Sequence, residues 1–158
     1  MAYIYPAPGN TNAQVILTLE TVAGSNTVGL VLPALQDVTL NNANDVFSWT
    51  QLDAASKQQI ATTATNSLSM NIVLDQTIFF GDSTASGEDA QIAGIFGLSK
   101  DKTKITFALY MGDTDAGATG KTISGAGYIT GLAPTVSADS PVWVSPITVT
   151  VDGDYTVA

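Results

Sequence analysis

Four stretches of this 158-residue chain bring together residue types that can do chemistry, and each lacks a partner its chemistry needs. Ile78-Phe-Phe-Gly-Asp-Ser83 has the form of the strand and Gly-Asp-Ser that open one class of serine esterases. A serine nucleophile needs a base within hydrogen-bond reach, and that class uses histidine. The chain has no His, so the stretch reads as a strand ending in a polar turn. Asp115-Ala-Gly-Ala-Thr-Gly-Lys-Thr122 misses the phosphate loop G-x-x-x-x-G-K-[ST] by one position, since Asp115 stands at the first Gly and Asp113 lies beside it. A phosphate cradle needs the N–H groups of a helix N-terminus, not two carboxylates at its rim. The adjoining residues, Ile123-Ser-Gly-Ala-Gly-Tyr-Ile129, are strand-like, so a hairpin loop is the better account. Gly125, Gly127 and Gly131 miss the dinucleotide spacing because Thr130 takes the third Gly position. Asp113/Asp115 and Asp152/Asp154 could each lend oxygens to Ca²⁺, but neither pair carries the rest of a calcium loop. Asp152-Gly-Asp154 reads instead as a tight turn. Trp49 and Trp143 are isolated, as core or interface anchors are. No catalytic, cofactor-binding or metal-ligating set emerges, and no cofactor is expected.

Composition points the same way. There are 14 Asp plus Glu against 5 Lys, no Arg, no His and no Cys, for a net charge of −9. Without Cys there is no thiol nucleophile, disulfide or thiolate zinc site. Without His there is no ready proton shuttle near neutrality. Without Arg, bidentate phosphate gripping is lost, and the acidic balance repels nucleic acid. Neither an enzyme nor a conventional DNA-binding protein is indicated. The chain is too rich in Val, Ile and Thr for a disordered acidic segment. Met1-Ala-Tyr-Ile-Tyr-Pro6 has no basic start and apolar run, so no secretory signal is read. The most apolar window, 28–35, is broken by Gly29 and Pro33 and is too short to span a bilayer.

The elements that must position these residues are mostly strands. Period-two alternation marks Gln14–Glu20, Ser67–Leu74 (Leu68, Met70, Ile72 and Leu74 on one face), Lys104–Met111 (Ile105, Phe107, Leu109 and Met111) and Ile147–Asp152. Thr27–Leu32, Thr77–Phe80, Lys121–Thr130 and Val142–Val144 are further strand candidates. One segment differs: Ser86-Gly-Glu-Asp89 resembles a capping box, and Ile92, Ile95 and Phe96 come after it at helical spacing, with Gly97 as a stop. This predicts a helix at about 87–98, in which Gly94 costs roughly 1 kcal/mol relative to Ala. A weaker helical stretch is read at Asp53–Ile60, with Leu52, Ala55 and Ile60 on one face, and Gln36–Asn44 as a long polar loop or edge extension. No repeat, linker or second domain is visible, so residues 1–158 read as one domain. Low charge, many Thr, Ser and Asn, and long apolar strands suit a surface largely covered by copies of the same chain.

This layout resembles the phage tail tube (major tail) proteins: a strand block, a polar loop, Leu68–Leu74, a helix, Ile105–Met111 and two closing strands. The likeness is strongest in Ala126-Gly-Tyr-Ile-Thr-Gly-Leu132 and Ser145-Pro-Ile-Thr-Val-Thr-Val-Asp-Gly-Asp154, although the last turn is Asp152-Gly153 rather than the more usual Ser-Gly. The resemblance implies a mainly β fold, a sandwich or barrel with one flanking helix, whose sheets join between subunits in a ring. Six copies would form each ring, and stacked rings would form a hollow tube that conveys DNA at ejection without binding it. It further implies a virion location, no membrane, and sheath, baseplate and terminator proteins as partners. The loop Asp37–Trp49, with Asp37, Asn41, Asn42, Asp45 and Trp49, is the candidate to reach the next ring, and acids on the inner strands the candidates to line the bore. The alternatives are another virion structural protein, such as a decoration or fibre subunit, or the tube of a bacterial contractile injection system. An acidic hydrolase without His is a distant third.

Overall fold

Alternating residues can bury one strand face only if a second layer covers it, and here the sheet curls so that its own far strands supply much of that layer. The computed structural model describes residues 13–21, 29–32, 35–53, 55–63, 65–82, 90–113 and 120–158. The strands are β1 (Ala13–Thr21), β2 (Leu30–Leu32), β3 (Leu35–Asn41), β4 (Asp45–Trp49), β5 (Gln58–Thr62) and β6 (Ser67–Val73), then β7 (Ile105–Asp113), β8 (Lys121–Leu132), β9 (Thr135–Ser137), β10 (Ser140–Val151) and β11 (Thr156–Val157). Two helices, α1 (Gln76–Phe80) and α2 (Ala90–Lys100), lie between β6 and β7. Nine strands form one antiparallel, half-barrel sheet with the path β2-β1-β7-β8-β10-β6-β3, to which β9 and β11 are added beside β10 and β8. β4 and β5 form a separate two-stranded ribbon. Among the described residues no helix is long and apolar enough to cross a membrane.

The register aligns the alternation from strand to strand. Val149 pairs with both Leu68 and Ile129, Ile147 with Met70 and Leu132, and Leu109 with Ile123. The inward set Leu68, Met70, Ile72, Ile105, Phe107, Leu109, Ile147 and Val149 is almost wholly buried. Each such side chain contributes roughly 1.5–3 kcal/mol of burial. α2 closes the core with Ile95 and Leu98.

Several expectations change here. Thr77–Phe80 is helix α1, not a strand, because the Asp75 side chain caps it: Oδ1 accepts from the backbone N–H of Thr77 (2.9 Å) and of Ile78 (3.2 Å). The flanking helix expected at 87–98 is α2, and residues 83–89, with the capping box and Ser83, lie outside the described residues. Gly94 (φ 63°, ψ 177°) breaks α2 and resets its phase, so Phe96 turns outward while Ile95 and Leu98 turn in. The stop is not Gly97. Thr103 N–H donates to Leu98 O (3.1 Å) and Lys102 N–H to Ser99 O (3.3 Å) around a left-handed Lys102 (φ 54°). The weak helix at Asp53–Ile60 is instead a turn at Leu52–Asp53 with β5 after it. Gln36–Asn44 is an edge extension, since β3 pairs along β6.

Candidate functional site

The described parts of the chemical motifs lie at element ends and turns. Gly81 and Asp82 come after α1, and Gly120–Thr122 lead into and begin β8, the antiparallel neighbour of β7, as a hairpin loop requires. Residues 114–119, including Asp115, lie outside the described residues. Gly153 (φ +89°) makes the expected turn, and Asp152 pairs with Lys104 at 2.7 Å. That hydrogen bond, and then the carboxylate's charge, raise the Lys104 pKa above its ordinary value. Among the described residues no three acidic side chains converge as metal ligands would.

What the structure does build is a set of surfaces. The first is an arm. β3 and β6 pair out to Asn41 and Ser67, and beyond residues 42–44 and 63–66 the chain pairs again as β4 and β5, from Asp45↔Thr62 to Trp49↔Gln58. Every residue of this ribbon is exposed. Phe47 and Trp49 stack on one face (6.0 Å, 23°), with Ile60 opposite Phe47. The residues expected in an inter-ring loop are therefore spread along the arm. Asp37 lies on β3 and accepts from Asn71 Nδ2 (2.8 Å), Asn41 ends β3, Asn42 is in the link, and Asp45 and Trp49 bound β4. The segment is strand and ribbon rather than polar loop, and its apolar members Val46, Phe47 and Ile60 are not among the residues expected from sequence. Their one signal is an apolar Val-Phe-x-Trp with no buried partner pattern.

The second surface is the outward face of the sheet: Thr39, Ser69, Thr106, Thr122, Ser124, Thr130, Thr148 and Thr150 occupy alternate positions to the core. Hydroxyls bond across it, Thr130 to Thr150 at 2.8 Å and Ser124 to Thr156 at 2.9 Å. Among the described outward positions of β3, β6, β7, β8 and β10 the one charge is Asp37, and on β1 Glu20 stands in register with Thr106. Two sheet edges, β2 and β3, end the main path. Such edges accept further strands.

The third surface is a cleft of about 570 Å³ lined by Leu74, Phe79, Phe80, Phe96, Pro134 and Trp143, with Asp75 at its edge. Phe79 packs edge-on against Phe80 (4.8 Å, 84°), and Phe96 closes the trio at 5.8 and 5.9 Å. Leu74 N–H donates to Trp143 O (2.8 Å), tying the end of β6 to β10. Phe80 (63%) and Trp143 (53%) stay open to solvent, which is unusual for aromatics that are not interface anchors.

This arrangement defines a class: the fold is the one seen in tail tubes. The chain is similar to a subunit of the tail of an empty GTA particle with C6 symmetry (12% identity, TM-score 0.62, covering 91% of this chain and 95% of that one). It is similar to the SPP1 tail tube protein (12%, 0.59, covering 90% and 75%) and to the PVC sheath/tube terminator of an extracellular contractile injection system (16%, 0.57, covering 99% of each). No protein-family model and no curated sequence matches the chain.

Proposed function

We propose that the chain is a non-catalytic structural subunit of a viral tail tube, assembling into hexameric rings that stack into a conduit for DNA. The observation that carries this reading is the whole-chain likeness to the C6-symmetric GTA tail. The surfaces support it. Edges β2 and β3 offer lateral pairing, which would join the sheets of six copies into one closed barrel without free edges. The core and helices fill one side of each sheet, so the hydroxyl face is the side a ring of joined sheets turns to its bore. A lining of hydroxyls whose one charge on these strands is the carboxylate of Asp37, on a chain of charge −9, gives phosphate nothing to grip. The arm, with Asp37, Asn41, Asn42, Asp45 and Trp49, is the element that reaches the next ring. Its place is the virion tail, with baseplate, terminator and, in a contractile tail, sheath as partners.

The end-to-end likeness to a chain of the PVC sheath/tube terminator structure favours a second reading, a ring or tube of a contractile injection system. Negative-stain microscopy and sedimentation of the purified chain test both. Rings that stack into tubes support the tail tube, and rings that stop at one layer support the terminator. Monodisperse monomers at high concentration overturn both.

A further inference from the structure

The two ends of β6 lead to two different exposed apolar surfaces. At Ser67 the strand continues the arm toward the ribbon, and at Val73 it runs through Leu74 into α1, a wall of the aromatic cleft. Seven residues at about 3.3 Å each put these ends roughly 20 Å apart. The ribbon starts beyond the Asn41↔Ser67 pair, on the side away from the cleft, and no ribbon residue lines that cleft. One molecule therefore presents an apolar ridge at one end and an apolar socket at the other.

Neither half suits water. An isolated two-stranded ribbon is at best marginally stable, yet Phe47 (58%) and Ile60 (56%) are exposed on one of its faces. One opposite-charge pair is also on offer: Asp75 is the one charged residue lining the cleft, and Lys57, beside β5, is the one cation between residues 42 and 66, a segment whose acids are Asp45 and Asp53. We infer that the Phe47–Trp49–Ile60 face of one copy docks into the Phe80–Phe96–Trp143 cleft of a second copy, with Lys57 near Asp75. Because ridge and socket sit at opposite ends, the contact is head-to-tail and propagates along the β6 direction. This rests on the tube reading and gives its stacking contact an address.

The chain has no Cys, so engineered ones report cleanly. An Ile60→Cys, Phe80→Cys double variant, oxidised after assembly, should give a ladder of covalent oligomers on a non-reducing gel, and each single variant at most a dimer. Phe47→Asp and Phe80→Asp, both at exposed positions, should each leave rings intact and raise the protein concentration needed for tube growth at least about tenfold. Mixed together, the two variants should stop at paired rings, since only one ridge and one socket remain intact. Tubes that form normally from Phe80→Asp, or a double variant that yields no ladder while rings persist, overturn the contact. If the unaltered chain forms no rings, the tube reading fails, and the ladder still decides the contact at high protein concentration.

Discussion

Gly81 and Gly94 meet backbone to backbone where α1 ends and α2 breaks. A Cβ on Gly94 would overlap the Gly81 nitrogen and lie 2.6 Å from the Phe79 carbonyl oxygen, while one on Gly81 would overlap the Ile92 carbonyl. Asp82 N–H donates to Gln91 O (2.8 Å) across the same junction. Both glycines have positive φ. Read as helix interior, Gly94 would gain about 1 kcal/mol on replacement by Ala. The structure reverses the sign. Gly94→Ala should lower stability by about 2 kcal/mol or more, because strained backbone and a backbone clash add together. Urea unfolding of the variant checks this, and a stabilised variant would refute the junction.

The same junction marks the limit of what sequence pattern can carry. The alternations in Ser67–Leu74, Lys104–Met111 and Ile147–Asp152 are legible because one face of each strand is buried within the chain itself. α1 is not, because Ile78-Phe-Phe is too short to show a period, leaving Asp75 and Gly81, which are caps, as its only markers. β5 reads as helix because neither face of the ribbon is covered in one chain. Leu52, fully exposed in the turn, mimics a helical face with Ala55 and Ile60. The cleft is illegible for a related reason. Its aromatics come from α1, α2 and β10, and only the Gly94 break turns Phe96 toward them.

Lys102 holds the left-handed position that ends α2, where a Cβ is disfavoured. Lys102→Gly should raise stability by about 0.5–1 kcal/mol, after the greater freedom of Gly in the unfolded chain is set against the relieved strain. Thermal melts of the two proteins measure it directly. A fall in melting temperature would mean that the Lys side chain supplies more than the backbone loses.

The Lys104–Asp152 pair joins the start of β7 to the end of β10. Lys104 has a raised pKa in the folded protein, so its contribution is fully present below the ordinary lysine value of 10.5 and fades as pH climbs through the raised value. Lys104→Met should therefore trail the parent by a small, constant margin across neutral pH. The two should converge only in strong alkali, and added salt should narrow the gap because both groups are solvent-exposed. Unfolding curves at several pH values test the sign. A gap that closes already at pH 8 contradicts it.

The hydroxyl face makes the most direct functional prediction. Thr106, Ser124 and Thr148 lie half-buried on β7, β8 and β10 at positions that alternate with the core, so Lys there leaves the core untouched and costs only the exposed Ser124–Thr156 hydroxyl bond. If this face lines the bore of a six-copy ring, as proposed above, each substitution adds six positive charges there. Counterion release then makes phosphate binding favourable and strongly salt-dependent. Tubes of the triple Lys variant should assemble normally and retain duplex DNA at low salt, releasing it as salt rises, whereas the parent retains none. Asp replacements at the same positions serve as the charge control and should leave DNA unbound. Equal retention by Lys, Asp and parent tubes would show that this face lies away from the bore.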